Sequence, residues 1–433
     1  MGRIVIIFLF ILIGSAKAQT YTSYFTGNTF DSLATAQGGV CMMGGASEHD
    51  EAMRWFLNQS GGGDILVLRT SGSDGYNDYM YTDLGFSVNS VETIVFNSPA
   101  AANESYIINK ILNAEAIWFA GGDQWNYVTY WRNTPIDTAI NEGLTNRDIV
   151  IGGTSAGMAI LGNYYFSAEN GTVTSAAALA NPFDTDVTVD STAFLNIDYL
   201  EEVVTDSHYD DPDRKGRHMT FLARMIEDYG VNAKGIACNE YTAVCVAPDG
   251  KASVFGDWPT YPETAFFLQT NCEVSSNVPE TCIAGVPLTW DHSGQAVKVY
   301  VVNGTNAGTN WFDLSDWETG SGGTWENWYV QNGNLIQDPS TVINCTGVAI
   351  SEIPDHLNAT IFPNPFHDEL TFKFDKNVER DIYIVDVNGK IVCRAKNTVD
   401  TELTLDLEML DAGIYMAIIN SENGRSSTKL VKF

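Results

Sequence analysis

Basic residues are scarce in this chain: 23 Lys and Arg stand against 54 Asp and Glu, a net charge of −31. That imbalance argues against nucleic acid or an anionic membrane as partner, because phosphate repulsion opposes binding. It suits solubility or a cationic substrate. Histidine is rarer still, six in 433 residues, so the search for a general base is short. The seven cysteines form no CxxC and no Cys/His zinc spacing, and neither a metal nor a cofactor is expected. Cys272 and Cys282 flank a turn-rich segment that a bridge between them could close into a small loop, and the disulfide pattern stays open. Cys238 and Cys245, on neighbouring strands, read equally as buried thiols or as a disulfide. No apolar run approaches the roughly twenty residues of a membrane helix. The run Ile4–Ile13 lies between Met1-Gly2-Arg3 and Ala16-Lys17-Ala18. It reads as a secretory signal peptide over residues 1–18, with a mature chain from Gln19.

From about Gln37 to Pro248 the sequence alternates strands and helices. Gly38–Met43, Asp64–Arg69, Val91–Phe96, Ala116–Phe119 and Asp148–Ile151 read as strands, and Glu48–Asn58 as a helix. Strands that are apolar throughout imply burial on both faces. The pattern predicts a doubly wound, mainly parallel α/β sheet with ligands at the carboxyl ends of its strands. A Trp-rich section from about 251 reads as irregular or β-rich and completes a domain spanning 19–350. Trp311, Trp317, Trp325 and Trp328 offer either packing or a sugar-binding surface. Residues 357–433 form a separate unit of short alternating strands, with a turn at Asn388-Gly389, and predict a small antiparallel β-sandwich.

The chemistry centres on Gly152-Gly-Thr-Ser-Ala-Gly157, a strand, a tight turn and a helix start with Ser155 at the apex. Flanking glycines permit the strained backbone of an exposed nucleophile. A serine needs a base, and the base needs an orienting group. His208 follows the apolar strand ending at Asp206, where such a sheet presents catalytic groups. His218, on the first turn of the next helix, reads as structural. Glu169, Asp206 and Glu240 are all candidates for the acid. Ala156 offers one oxyanion N–H, and the turn Ala120-Gly121-Gly122-Asp123-Gln124 offers a second. A metal reading of His208-Tyr-Asp210-Asp211-Pro-Asp213 with His218 competes, as does an inactive surface protein binding peptide or glycan.

As a set, Phe119-Ala-Gly-Gly-Asp-Gln124, Gly152–Gly157, Thr205-Asp-Ser-His208 with Arg214 and Gly216-Arg217, and Lys234–Ala243 resemble the S51 serine peptidase family. Cyanophycinase and peptidase E belong to that family, and cyanophycinase is the nearer of the two. The resemblance implies a fold like class I glutamine amidotransferases with serine in place of cysteine. By position it implies Ser155 as nucleophile, His208 as base and Glu169 as acid, with Gly122 and Ala156 forming the oxyanion hole. Gln124, Asp206, Arg214, Arg217 and Glu240 would line the substrate cleft. The implied substrate is a peptide or a cyanophycin-like polymer cut near aspartyl residues, and a homodimer is compatible with the family. The tail, through Pro363-Asn364-Pro365, Asn388-Gly389-Lys390, Ala412-Gly413-Ile414-Tyr415 and Lys429–Phe433, resembles the type IX secretion sorting domain of Bacteroidetes. It implies the secretion machinery as partner and delivery through periplasm and outer membrane to the cell surface or beyond.

Overall fold

Five runs with no polar–apolar alternation, Val40–Met43, Asp64–Arg69, Ser90–Phe96, Ala116–Phe119 and Val150–Thr154, form the parallel heart of the main sheet. In space they run Ser90–Phe96, Asp64–Arg69, Ala116–Phe119, Val150–Thr154, Val40–Met43. Both faces are covered, which is why these strands carry apolar residues at successive positions. The helix Asp50–Gln59 lays Ala52, Met53, Phe56 and Leu57 on one side, and Phe56 meets Trp118 edge-on at 5.2 Å. The computed structural model describes residues 19–191, 194–345, 359–374, 377–386, 391–421 and 424–433. The expected signal peptide and the Asn388-Gly389 turn lie outside them.

The sheet is mixed rather than mainly parallel. Tyr21–Gly27 adds antiparallel at one edge, and Ala243–Val246, Lys251–Phe255, Asn310–Asp313 and Gly320–Ser321 extend the other, giving ten strands. The cause is local. Ala247 to Gly250 is a tight turn, closed by Gly250 N–H donating to Ala247 O, and a connection that short joins only antiparallel strands. A second, six-stranded sheet contains one parallel pair, Val203–Asp206 with Lys234–Cys238, and then Thr264–Thr270, Val297–Asn303, Gly323–Gln331 and Asn334–Pro339, all antiparallel. The Trp-rich section therefore supplies strands to both sheets. Trp317, Trp325 and Trp328 are buried, and Phe312 packs edge-on against both Trp317 and Trp325. Packing uses these three rings, while Trp311 is half-buried with Lys251 Nζ 4.5 Å from its ring centroid.

The disulfide-bonded cysteines are Cys272 and Cys345, whereas Cys282 carries a free, buried thiol. A Cys272–Cys282 bridge, one of the open possibilities, does not form. Cys41, Cys238 and Cys245 are also free and buried. Cys245 faces Cys41 on the adjacent strand, with the sulfurs 3.5 Å apart, and is not bonded to Cys238.

Residues 344–433 form a unit of their own. It holds a three-stranded and a four-stranded antiparallel sheet around Phe366, Phe372, Ile382, Ile384, Ala417 and Leu430. In Glu369–Phe374 every second residue, Leu370, Phe372 and Phe374, points inward, as the alternation predicts.

Candidate active site

Ser155 sits between the strand Val150–Thr154 and the short helix Ala156–Ala159, at φ 54° and ψ −116°. That backbone is costly for any residue with a Cβ, on the order of 1–3 kcal/mol, and is held by its surroundings. Ser155 N–H donates to Met43 O across the sheet at 3.1 Å. The helix turns back so closely that a Cβ on Gly153 would lie 2.6 Å from the Gly157 carbonyl carbon. The glycine-rich motif is thus a requirement of close approach.

His208 lies two residues past the strand Val203–Asp206, and Glu240 two past Lys234–Cys238. These strands are parallel neighbours, with Ala237 opposite Asp206, so their carboxyl ends deliver both residues to one place. His208 Nε2 lies 2.8 Å from Ser155 Oγ, and His208 Nδ1 lies 2.6 Å from Glu240 Oε1. An ionised carboxylate only accepts, which puts the proton on Nδ1 and leaves Nε2 free to accept from the serine hydroxyl. Glu240 is positioned in turn by its own N–H, which donates to Asp210 Oδ1 at 3.0 Å.

The carboxylate against His208 is therefore that of Glu240 and not of Glu169. Glu169 is exposed in the turn Ala168–Gly171 and has no hydrogen bond to the histidine. Chain order placed Glu169 between serine and histidine, but strand pairing governs proximity.

Two further expectations change. Asp206 and Arg217 are both almost fully buried and spend themselves on each other, with Nε–Oδ2 at 2.9 Å and Nη2–Oδ1 at 2.5 Å. They do not line a cleft. Burial alone would raise the Asp206 carboxyl, but Arg217, with His218 and Arg214, holds it below its ordinary value. Asp206 also accepts from Ser207 N–H at 3.0 Å, and Arg214 Nη1 donates to Ser207 O at 3.0 Å. The ion pair thus anchors the turn that aims His208, itself at φ 47°. The Arg214 side chain is partly exposed. His218 is fully buried against Tyr209, and burial lowers its pKa to about 4, so it is neutral.

On the other side of the serine, Gly121 is the nearer glycine, its Cβ position 3.6 Å from Ser155 Cβ, while Gly122 is exposed beside the Tyr127 hydroxyl. Ala156 is buried directly after the serine. Gln124 donates to Phe166 O at 3.2 Å and is partly buried.

The sequence reading missed Gly44-Gly45, which follows the strand Val40–Met43. His208 N–H donates to Gly44 O at 2.7 Å, and Tyr241 N–H to Gly45 O at 3.1 Å. A Cβ on Gly45, at φ 114°, would collide with Nε2 and Cε1 of His208. A double glycine at the carboxyl end of a buried strand was the available signal, the same one that drew notice at Gly121-Gly122. Gly45→Ala is expected to displace the imidazole and cut kcat by about 100-fold or more with little change in KM, read by steady-state kinetics.

Residues 73–254 match peptidase family S51, and residues 360–432 match the secretion system C-terminal sorting domain. A cyanophycinase of Synechococcus elongatus is 23% identical over 232 residues, covering 51% of this chain and 66% of its own length. A cyanophycinase of Geminocystis herdmanii (strain PCC 6308) is 27% identical over 123 residues, covering 28% and 41%. The matched region thus spans less than two thirds of those relatives. Among solved structures, a peptidase from an acI-B1 Actinobacterium aligns with TM-score 0.38 at 15% identity, over 54% of this chain and 95% of its own. A putative peptidase E protein from Listeria monocytogenes EGD-e aligns with TM-score 0.30 at 16% identity, over 49% and 96%. The chain carries a peptidase family S51 domain followed by a secretion system C-terminal sorting domain.

Proposed function

We propose that this protein is an exported serine-type peptidase that cuts peptide or isopeptide bonds near aspartyl residues through Ser155, His208 and Glu240. The observation that carries the reading is the unbroken relay from Ser155 Oγ to His208 Nε2 and from His208 Nδ1 to Glu240 Oε1. In the forward step Ser155 Oγ attacks the carbonyl carbon while Nε2 takes its proton. The resulting imidazolium is stabilised by Glu240 and passes that proton to the departing amine, leaving an acyl-enzyme. Water, deprotonated by the same nitrogen, then releases the acid and restores the serine. The N–H groups of Ala156 and Gly122 receive the oxyanion. Arg214, partly exposed beyond the Ser207 carbonyl, faces the substrate carboxylate. The aspartyl preference and the cyanophycin-like polymer come from the cyanophycinase relatives. The sorting tail directs the protein to the cell surface or the medium.

The test is mass spectrometry of products from cyanophycin and from α- and β-aspartyl peptides, using wild type and Ser155→Ala. Serine-dependent release of amine products is expected, with activity falling by at least about 10⁴-fold in the variant. A folded Ser155→Ala protein with full activity would falsify the mechanism.

A further inference from the structure

No step above uses the hydroxyl of Tyr127, which the helix Gln124–Trp131 carries into the core beside the Gly121-Gly122 turn. The ring is fully buried and stacks on Trp131 at 4.5 Å, and Trp131 stacks in turn on Phe119, the last residue of the strand before the turn. Phenylalanine would supply all of that packing, so the hydroxyl needs its own account. A buried hydroxyl is costly unless it is hydrogen-bonded. Both of its bonds go to the turn: it donates to Ala120 O at 2.8 Å and, more weakly, to Gly121 O at 3.2 Å. Burial raises the phenol above its ordinary pKa, so at neutral pH it stays protonated and remains a donor.

Those two carbonyls decide where the N–H groups of the turn point. In a trans peptide C=O and N–H share one plane and face opposite ways. Ala120 O and Gly121 O both turn inward to the phenol, so the N–H groups of Gly121 and Gly122 turn outward. Outward is the side of the nucleophile: the Cβ position of Gly121 is 3.6 Å from Ser155 Cβ, and Gly122 is exposed. With no Cβ on either residue, the peptide between two glycines flips at little cost unless something holds it. A flipped peptide would present a carbonyl where the oxyanion needs a donor. Gly122 also records the contact. Its φ is not positive, so the backbone alone does not demand glycine, yet a Cβ there would lie 2.8 Å from the Tyr127 hydroxyl oxygen.

We infer that Tyr127 is a positioning residue for the oxyanion hole: its hydroxyl, shared between Ala120 O and Gly121 O, keeps the Gly122 N–H turned toward the oxyanion. Tyr127 acts through the turn alone and touches no substrate. The inference rests on the serine-peptidase reading, because an oxyanion forms only if Ser155 attacks a carbonyl carbon.

The test is Tyr127→Phe in the full chain, which deletes the hydroxyl and keeps the ring. Its kcat on an aspartyl peptide is expected to fall about 10–100-fold with KM nearly unchanged, because only the transition state carries the oxyanion. A matching peptide trifluoromethyl ketone, which Ser155 converts to a tetrahedral oxyanion, should bind more weakly by the same factor, while the product acid binds as before. A merely structural tyrosine would lower the urea midpoint and leave the ratio of ketone to product affinity intact. The amide spectrum of glycine-labelled protein reads the turn without turnover. The resonance missing from Gly122→Ala should move or broaden in Tyr127→Phe. In Gly122→Ala/Tyr127→Phe the added methyl no longer meets a hydroxyl, so part of the stability lost in Gly122→Ala should return. Unchanged kcat in a folded Tyr127→Phe protein, an unchanged affinity ratio, or a Gly122 resonance that stays in place each overturns the inference and leaves the peptidase standing. A wild type without serine-dependent cleavage sinks the peptidase reading and the catalytic role together, and a Gly122 resonance that still moves then keeps the hydroxyl only as the pin of the turn.

Discussion

Glu240→Gln is expected to lower kcat/KM by about 10⁴-fold with little loss of stability, while Glu169→Gln stays within about twofold of wild type. The physical reason is the tautomer of His208. Glutamine fits the space of glutamate but presents an NH₂ group to Nδ1, which lies 2.6 Å from Oε1 in the native site. The imidazole then carries its proton on Nε2 and cannot accept the one on Ser155 Oγ, 2.8 Å away. The lost carboxylate also leaves the imidazolium of the reaction without a counter-charge. Glu169, exposed in its turn, has no such partner to disturb. Single-turnover kinetics of the two variants on one peptide decides between the acids. Equal activity of Glu240→Gln and wild type would remove Glu240 from the relay.

The elements closest in sequence to Ser155 were the most legible. Gly152–Gly157 encodes its turn locally, because the close approach of Gly153 and Gly157 admits no side chain. His208 could be found because few histidines compete and it follows an apolar strand. What the sequence hid is pairing. Glu240 meets His208 through a parallel register between strands some thirty residues apart, and no local pattern encodes that register. Asp206 and Arg217 look like cleft residues in a linear motif, since a charged residue at a strand end is ordinarily exposed. Burial of both turns them into a structural pair instead. The same limit explains the sheet. Apolar runs announced the five parallel strands, whereas strands after about Lys251 were expected only as a β-rich section. Their placement on two sheets depends on turns such as Ala247–Gly250 and on partners far along the chain.

The largest effect on stability is expected from Arg217→Met, at about 3–5 kcal/mol of destabilisation. Removing the guanidinium leaves the Asp206 carboxylate buried, with only Arg214, 4.0 Å away, as a weak substitute. The double variant Asp206→Asn/Arg217→Met should recover much of that loss, because no uncompensated charge remains. The pH dependence gives an independent check. In wild type the folded-state carboxyl lies below its ordinary value, so Asp206 contributes stability above the unfolded pKa of about 3.9. That contribution is lost as pH falls through the lower, folded value. Without Arg217 the opposing effect, burial, dominates and raises the carboxyl. The acid-side slope of stability against pH should then flatten in Arg217→Met. Urea midpoints from pH 3 to pH 7 on wild type and both variants measure this. Since the same carboxylate holds the N–H of Ser207, the residue before His208, kcat should fall with stability in Arg217→Met, and recovery of stability without kcat in the double variant would show that the ion pair aims the base as well as holding the fold.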